Sequence, residues 1–389
     1  MPTRTLLMLV ALASLVAACG PSLRGTVERD RLHAIVQRDA ILFEPSAIPD
    51  AMVARLVDER VVVVGEVHDI THHAALVGEL AAALRPHGFG LVLLEFPQAE
   101  SWLLDAYARG VFDTLLPGAE RTYGQLLERI RAANAGLPPG EHIRVAAIDV
   151  NPRLDDFLSP FRGLLHQIGQ PEVLTRLVAT LEGGGDVLGA LETAQAELAA
   201  NEDTYRAAWG APLYDVVLDA LDGEARSAAV RQTRSGPQRD QAREAAMHAL
   251  VDRQLARTPG GAIVNVGMYH AQKQRQDGTI DVWLAERLAT NSPHARGAIF
   301  ALVVVPASGE MRIRGRVRLF DVGDTSPPNE LLRVMQDVAK DAYAFLSLDD
   351  PLFAEERVVF TFHPDLQVGP PKVVFDGFVL LPEVGYLGR

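Results

Sequence analysis

Residues 61–64 are four consecutive valines, followed at once by Gly65-Glu66-Val67-His68. Residues 262–266 are another apolar run, followed by Gly267-Met268-Tyr269-His270. Runs this short, rich in β-branched residues and apolar at nearly every position read as strands buried on both faces. Two more of the same kind, 91–94 and 143–148, end in Glu95 and Asp149. Between them lie stretches with helical spacing. Residues 71–84 place Ala75, Leu76, Leu80 and Leu84 on one face before Pro86 and Gly88. Residues 99–108 and 123–133 read the same way, the latter running up to a Pro138-Pro139-Gly140 turn. Strand–helix alternation of this sort predicts an α/β fold, a mostly parallel sheet flanked by helices. In open sheets of that class, ligands bind beyond the carboxyl ends of the strands. Four separate segments therefore aim ionisable side chains at one edge.

The rest of the chain divides around this unit. Residues 41–305 are expected to form the α/β domain, and 151–257 a large helical insertion. The insertion lacks strand-like runs, is rich in Ala, Leu, Glu, Arg and Gln, and is broken at 169–171, 183–185 and 235–237. A helix is expected at 280–289 and a further apolar strand at 297–305. Residues 306–389 read as a C-terminal β-rich extension, either extra edge strands or an appended unit. Within it, 311–319 alternates Arg with apolar residues like a half-exposed antiparallel strand. A helix at 330–345 and strands at 358–362 and 373–381 complete the expectation.

The N-terminus points to the cell envelope. Arg4 precedes an apolar stretch from Leu6 to Val16 and then Ala17-Ala18-Cys19-Gly20. The stretch is too short to span a bilayer and fits a signal peptide over residues 1–18. Val16-Ala17-Ala18-Cys19 resembles a bacterial lipobox, which would leave Cys19 lipidated as the first mature residue. Residues 19–40 then form a tether or first helix. Gly20 supplies no acidic retention signal, which favours the outer membrane, facing periplasm or exterior. Cys19 is the only cysteine, so no disulfide or cysteine metal site is expected. A net charge of −13 argues against a nucleic-acid partner, since binding phosphates needs a basic surface. A small-molecule ligand or substrate is the expected partner, with the membrane reached through Cys19.

Glu66 and His68 share one tight strand-to-helix connection, with Asp69, His72 and His73 close behind. A histidine beside carboxylates gains a raised pKa and a fixed tautomer, which suits a general base or a metal ligand. His72 and His73 cannot both lie on one helix face, and the plain alternative is that His68 caps the helix while both of them face solvent. Glu95 ends an interior strand and must meet a cation, a histidine or solvent. Asp149 follows the same logic, although Asp-Val-Asn-Pro is also an ordinary turn. Arg243 and Glu244, in the helix before the 262–266 strand, are placed to face the crevice or to lie solvated. No Ser or Cys sits in a strand–turn–helix elbow. The residue set therefore favours attack by activated water, with or without a metal. A haem binder would instead need an axial His or Tyr beside a wide apolar surface, and His68, His270, Tyr269 and Tyr123 are the ligands available.

Taken in order, Gly-Glu-x-His after a strand, Glu95, Asp149 and the second histidine motif resemble one superfamily over residues 40–305. It comprises erythromycin-esterase-like hydrolases, ChaN-like haem-binding lipoproteins and TIKI/TraB-type metallopeptidases. Gly65 to Asp69 with His72-His73, and the lipobox, are most similar to the ChaN branch. The paired Gly-x-x-His motifs with Glu95 are similar to the TIKI/TraB pattern, which implies a divalent metal on His68, His270 and Glu95. Asp149 and Arg243-Glu244 with Met247 resemble the esterase branch. There the implied roles are His68 as base, Glu66 and Glu95 as orienting groups, and His270 as a charge stabiliser. The expectation is an envelope-anchored hydrolase. The alternative is a haem- or iron-binding lipoprotein of haem uptake with His68, His270 and Tyr269 as ligands, and a binding module that has lost activity comes third.

Overall fold

The computed structural model describes residues 25–275, 282–313, 316–324, 329–361 and 366–387. The signal peptide, Cys19 and the first residues of the 280–289 helix lie outside the described residues. Valine-rich segments pair because β-branched side chains pack well on a pleat covered from both sides. They build an eight-stranded sheet in the order β1-β9-β12-β6-β2-β5-β3-β4. Its strands are β1 (Ile41–Phe43), β2 (Val61–Glu66), β3 (Phe89–Pro97), β4 (Arg144–Asp149), β5 (Gly261–Gly267), β6 (Ile299–Pro306), β9 (Tyr343–Ser347) and β12 (Gly377–Leu381). From β12 through β4 every neighbour is parallel, while β9 runs antiparallel to β12 and to β1. The fold is thus the mostly parallel α/β sheet expected.

Alternate side chains of β2 feed two cores. Val61 and Val63 join the face covered by α1 (Arg29–Asp39), α11 (Gly236–Arg257), α12 (Leu284–Asn291) and α13 (Glu330–Ala339). Val62 and Val64 join the face covered by α2 (Asp50–Leu56), α3 (His73–Leu84), α4 (Ser101–Ala108) and α5 (Pro117–Asn134). Strands β2 and β5 are neighbours, yet the helices that follow them, α3 and α12, lie on opposite faces. The connections therefore part between these strands and leave a crevice at their carboxyl ends.

Residues 151–257 form six helices: α6 (Leu154–Gln167), α7 (Glu172–Glu182), α8 (Val187–Ala200), α9 (Glu202–Trp209), α10 (Ala211–Gln232) and α11. The first five share a core of their own around Phe157, Phe161, Leu174, Leu191, Val217 and Leu221. The sixth returns to the sheet through Met247, Leu250, Val251 and Leu255.

The structure differs from expectation mostly at the ends. In the segment expected as tether or first helix, α1 buries Leu32, Ile35 and Val36. The single strand expected at 311–319 is a hairpin of β7 (Ser308–Ile313) and β8 (Arg316–Asp321). The helix expected over 330–345 stops at Ala339, because Lys340 takes a left-handed φ of 53° and the chain re-enters the sheet as β9. The run 373–381 opens as the short helix α15 (Pro371–Val374) before β12 begins at Gly377. A helix, α14 (Pro351–Glu355), and a two-stranded pair, β10 (Val358–Thr361) with β11 (Leu366–Gly369), lie between β9 and α15. Strands β9 and β12 thus continue the central sheet beyond β6. Phe378 and Val379 bury into its two cores, so the core has no boundary at 305/306. Among the described residues no helix is long and apolar enough to cross a membrane.

Candidate functional site

The carboxyl ends of β2, β5, β3 and β4 bring two linked clusters together. The first sits on the α3 side. Glu66 closes β2 on the same face as Val64, and Asn265 in β5 stands in register with Val64. The Glu66 carboxylate is 4 % exposed. Its Oε2 accepts from Asn265 Nδ2 at 3.0 Å and lies 3.0 Å from His73 Nε2. His73 Nε2 is also 2.8 Å from Asn265 Oδ1. The other carboxylate oxygen, Oε1, lies 2.8 Å from His68 Nδ1. Burial alone would raise the Glu66 pKa, but the His73 and His68 rings hold it down at about 2. His68 gains in return: its hydrogen bond to Glu66 raises its pKa above the usual value against the opposing effect of burial.

The loop from Val67 to His72 makes this geometry. Asp69 and His72 adopt left-handed backbone angles, φ 61° and 72°. That winding turns His73 inward at the start of α3 and leaves His72 outside against the Tyr343 ring. Of the two adjacent histidines, only His73 joins the site. Sequence reasoning gave it little weight and overlooked Asn265, whose signal was one amide between Val264 and Val266 in a buried strand.

The second cluster sits on the α11 side. Arg243 forks onto Asp149, with Nε 2.7 Å from Oδ1 and Nη2 2.8 Å from Oδ2. Its Nη2 also donates to Glu95 Oε1 at 2.5 Å. Glu95 Oε2 accepts from the Gly267 N–H at 2.5 Å. His270 lies between two carboxylates, with Nε2 3.3 Å from Glu95 Oε1 and Nδ1 2.6 Å from Glu244 Oε1. Burial works against the imidazolium, yet Glu95 and Glu244 raise its pKa to about 10. His270 is therefore a cation at neutral pH. Glu95 is held well below the usual carboxylate range by His270, Arg243 and His68, against the effect of burial. Tyr123 on α5 donates its hydroxyl to the Glu95 carbonyl at 3.2 Å.

Gly267 joins the two halves. A Cβ there would come 2.7 Å from His68 Nε2 and 3.3 Å from Glu95 Oε2. Only a glycine lets the His68 ring lie over the end of β5. Gly65 has the same use, since a Cβ on it would meet Ala271 at 2.8 Å and the Met268 backbone at 3.0 Å. We expect Gly267→Ala to fold normally but to displace His68 and lower its pKa. A histidine-resolved NMR titration reads this directly, and an unmoved His68 pKa would refute it.

All six residues expected as catalytic, Glu66, His68, Glu95, Asp149, Arg243 and His270, meet here. Tyr269 instead packs against the Trp283 ring, with centroids 5.8 Å apart. The set expected to hold a metal (His68, His270, Glu95) does not fit a divalent ion. Glu95 gives its oxygens to Arg243 and a backbone N–H, His270 faces carboxylates, and a guanidinium occupies the centre. Among the described residues no group of three or more His, Cys, Asp or Glu side chains is arranged for a metal. Of the residues expected as haem ligands, His270 has both ring nitrogens against carboxylates. His68 Nε2, by contrast, makes no hydrogen bond to a described residue, and the His68 side chain is 57 % exposed.

No family model and no curated sequence matches the chain. Solved structures do. A Bacillus cereus protein aligns at TM-score 0.73 and 16% identity, covering 92% of this chain and 98% of its own. A succinoglycan biosynthesis protein aligns at TM-score 0.69 and 12% identity, with the same coverages. An erythromycin esterase, EreC, in its open conformation aligns at TM-score 0.62 and 16% identity, covering 89% and 98%. ChaN of Campylobacter jejuni, described with cofacial haem, aligns at TM-score 0.33 and 13% identity, covering 69% and 91%. At these identities the likeness to the first three is one of fold, and it extends over nearly their whole length.

Proposed function

We propose that the crevice hydrolyses an ester by direct attack of water, with His68 as general base. One observation carries the reading: His68 Nδ1 is tied to a buried carboxylate while the side chain is 57 % exposed and its Nε2 bonds no described residue. With the Nδ1 proton held against Glu66, the lone pair sits on Nε2, and Asn265 and His73 keep the carboxylate in place. Nε2 takes a proton from water as the water oxygen bonds to the carbonyl carbon. The tetrahedral oxyanion gains from the Arg243 and His270 cations, fixed in place by their carboxylates before the substrate arrives. The carbon–oxygen bond to the leaving group then breaks. His68 returns its proton to the departing alkoxide, giving a carboxylic acid and an alcohol. Two histidines from one motif type thus take opposite tasks because their surroundings separate their pKa values.

The fold shared with an erythromycin esterase makes a lactone the first substrate to assay, beside simple aryl esters. Because Glu66 raises the His68 pKa, the base is protonated and idle at low pH. Turnover should climb with pH, with its midpoint above the ordinary histidine value of about 6.5. Glu66→Gln should move that midpoint down. A panel showing no hydrolysis, or a profile flat from acid to alkaline pH, overturns the proposal.

A further inference from the structure

We infer that a hollow between α4, the entry to α5 and α6 binds an organic cation, a protonated amine carried on an apolar frame. The hollow has a volume of about 380 Å³, within the range of small-molecule sites, and lies where the sheet meets the helical insertion, a favoured place for them. Trp102 and Leu103 of α4 line it, with Leu116 and Gly118 at the entry to α5 and Gly163 on α6. The Trp102 ring is held in place. It meets Phe112 edge-on at 5.8 Å, and a Cβ on Gly163 would come 3.2 Å from it. A second hollow of about 250 Å³ adjoins the first, since Leu103 and Leu116 line both, and its further walls include Leu104, Phe112 and Leu115. The apolar half of the site is thus the larger part of its surface. The Phe96 ring, one residue beyond Glu95, lies against the first hollow, 3.6 Å from where a Cβ on Gly118 would stand.

The polar half is acidic, with Glu100, Asp155 and Asp156. Two of these have an ordinary reason to be there. Asp155 and Asp156 lie in the first turn of α6, where acids suit the helix dipole, and Arg153 holds Asp156 with Nη2 2.7 Å from Oδ1. Glu100 does not. It stands at the N-cap of α4, yet its side chain makes no cap bond. Its carboxylate is half-buried and forms no ion pair or hydrogen bond with a described residue. Burial and the Asp156 charge push its pKa up to about 7. A carboxylate so placed costs free energy until a cation meets it. A metal ion does not suit apolar walls, and among the described residues no three acidic or histidine side chains are arranged for one. An ammonium on an apolar frame suits both halves, with its charge between Glu100 and the Trp102 ring and its frame along Leu103 and Leu116. The inference is independent of the hydrolytic reading, because it concerns binding outside the His68 cluster.

Calorimetric titration of the full chain with phenylbutylamine, phenylbutanol and phenylbutyrate tests it, since the three share a frame and differ in charge. The amine should bind on the order of tenfold more tightly than the alcohol, and the acid more weakly than either. Glu100→Gln should erase the preference for the amine. It should also melt no lower than the parent at alkaline pH, because it removes a charge that has no partner. Ser159→Arg alters an exposed residue of α6 that lines the hollow. It should bring a cation and bulk of its own into the site and abolish amine binding. An amine that binds no better than the alcohol overturns the inference, for the Glu100 carboxyl then simply stays protonated. Amine binding that survives both substitutions overturns it too, by placing the cation elsewhere, as at Glu95 and Asp149 in the crevice.

Discussion

His68→Ala should lower ester turnover by about 10²- to 10⁴-fold, the range for loss of a positioned general base, while costing no more than about 1–3 kcal/mol of stability for the Glu66 oxygen left without its partner. The two halves of this expectation come from one fact. His68 is the exposed member of its cluster, at 57 % of its side chain, whereas Glu66 and His73 beneath it are buried. Removing the ring opens no cavity and leaves Asn265 and His73 still holding Glu66. The fold then loses the His68 Nδ1 bond to Glu66 Oε1 and keeps the bonds of the other carboxylate oxygen. The check is kcat/KM on the responsive ester beside a melting curve of the same preparation. Unchanged turnover removes His68 from the chemistry. Joint collapse of turnover and stability makes it a structural residue instead.

How far such a site can be read from sequence depends on what places each side chain. Glu66, Glu95, Asp149 and His270 follow continuous apolar runs, and a run buried on both faces of a parallel sheet has one outlet, its carboxyl end. Their convergence was therefore legible. Arg243 was only half legible. Its helix faces the crevice because Met247, Leu250 and Val251 bury against the sheet, but the helical period alone does not say which face is covered. His73 was not legible. Its position depends on left-handed angles at Asp69 and His72, which Asp and His adopt more often than most residues but which no local pattern announces. The C-terminal strands fail for another reason. Whether Gly377–Leu381 lies beside β6, and Ile41–Phe43 beside β9, is decided by pairing between distant parts of the chain. Local pattern gives the strand and leaves its neighbour open.

Arg243→Leu should destabilise the protein by about 3–5 kcal/mol, the range for breaking a buried ion pair from one side. The guanidinium is the shared partner of Glu95 and Asp149, fixed by three contacts to carboxylate oxygens, and leucine fills much of its volume without answering either charge. The dependence on pH identifies the cause. In the parent, Glu95 is held below its ordinary pKa. Its contribution is therefore present above the unfolded value and is lost only as pH falls through the depressed folded value. Without Arg243 the burial of Glu95 is less opposed and its folded pKa rises. The gap between parent and variant should then be widest near neutrality and narrow toward pH 4, as the variant's carboxylates take up protons. Urea unfolding at both pH values measures it. Arg243→Lys should recover only part of the loss, since one ammonium cannot reproduce a fork that bonds Asp149 twice while reaching Glu95. A gap that stays constant with pH would mean that the arginine contributes by packing. The charge balance proposed for the crevice would then have to rest on His270 alone.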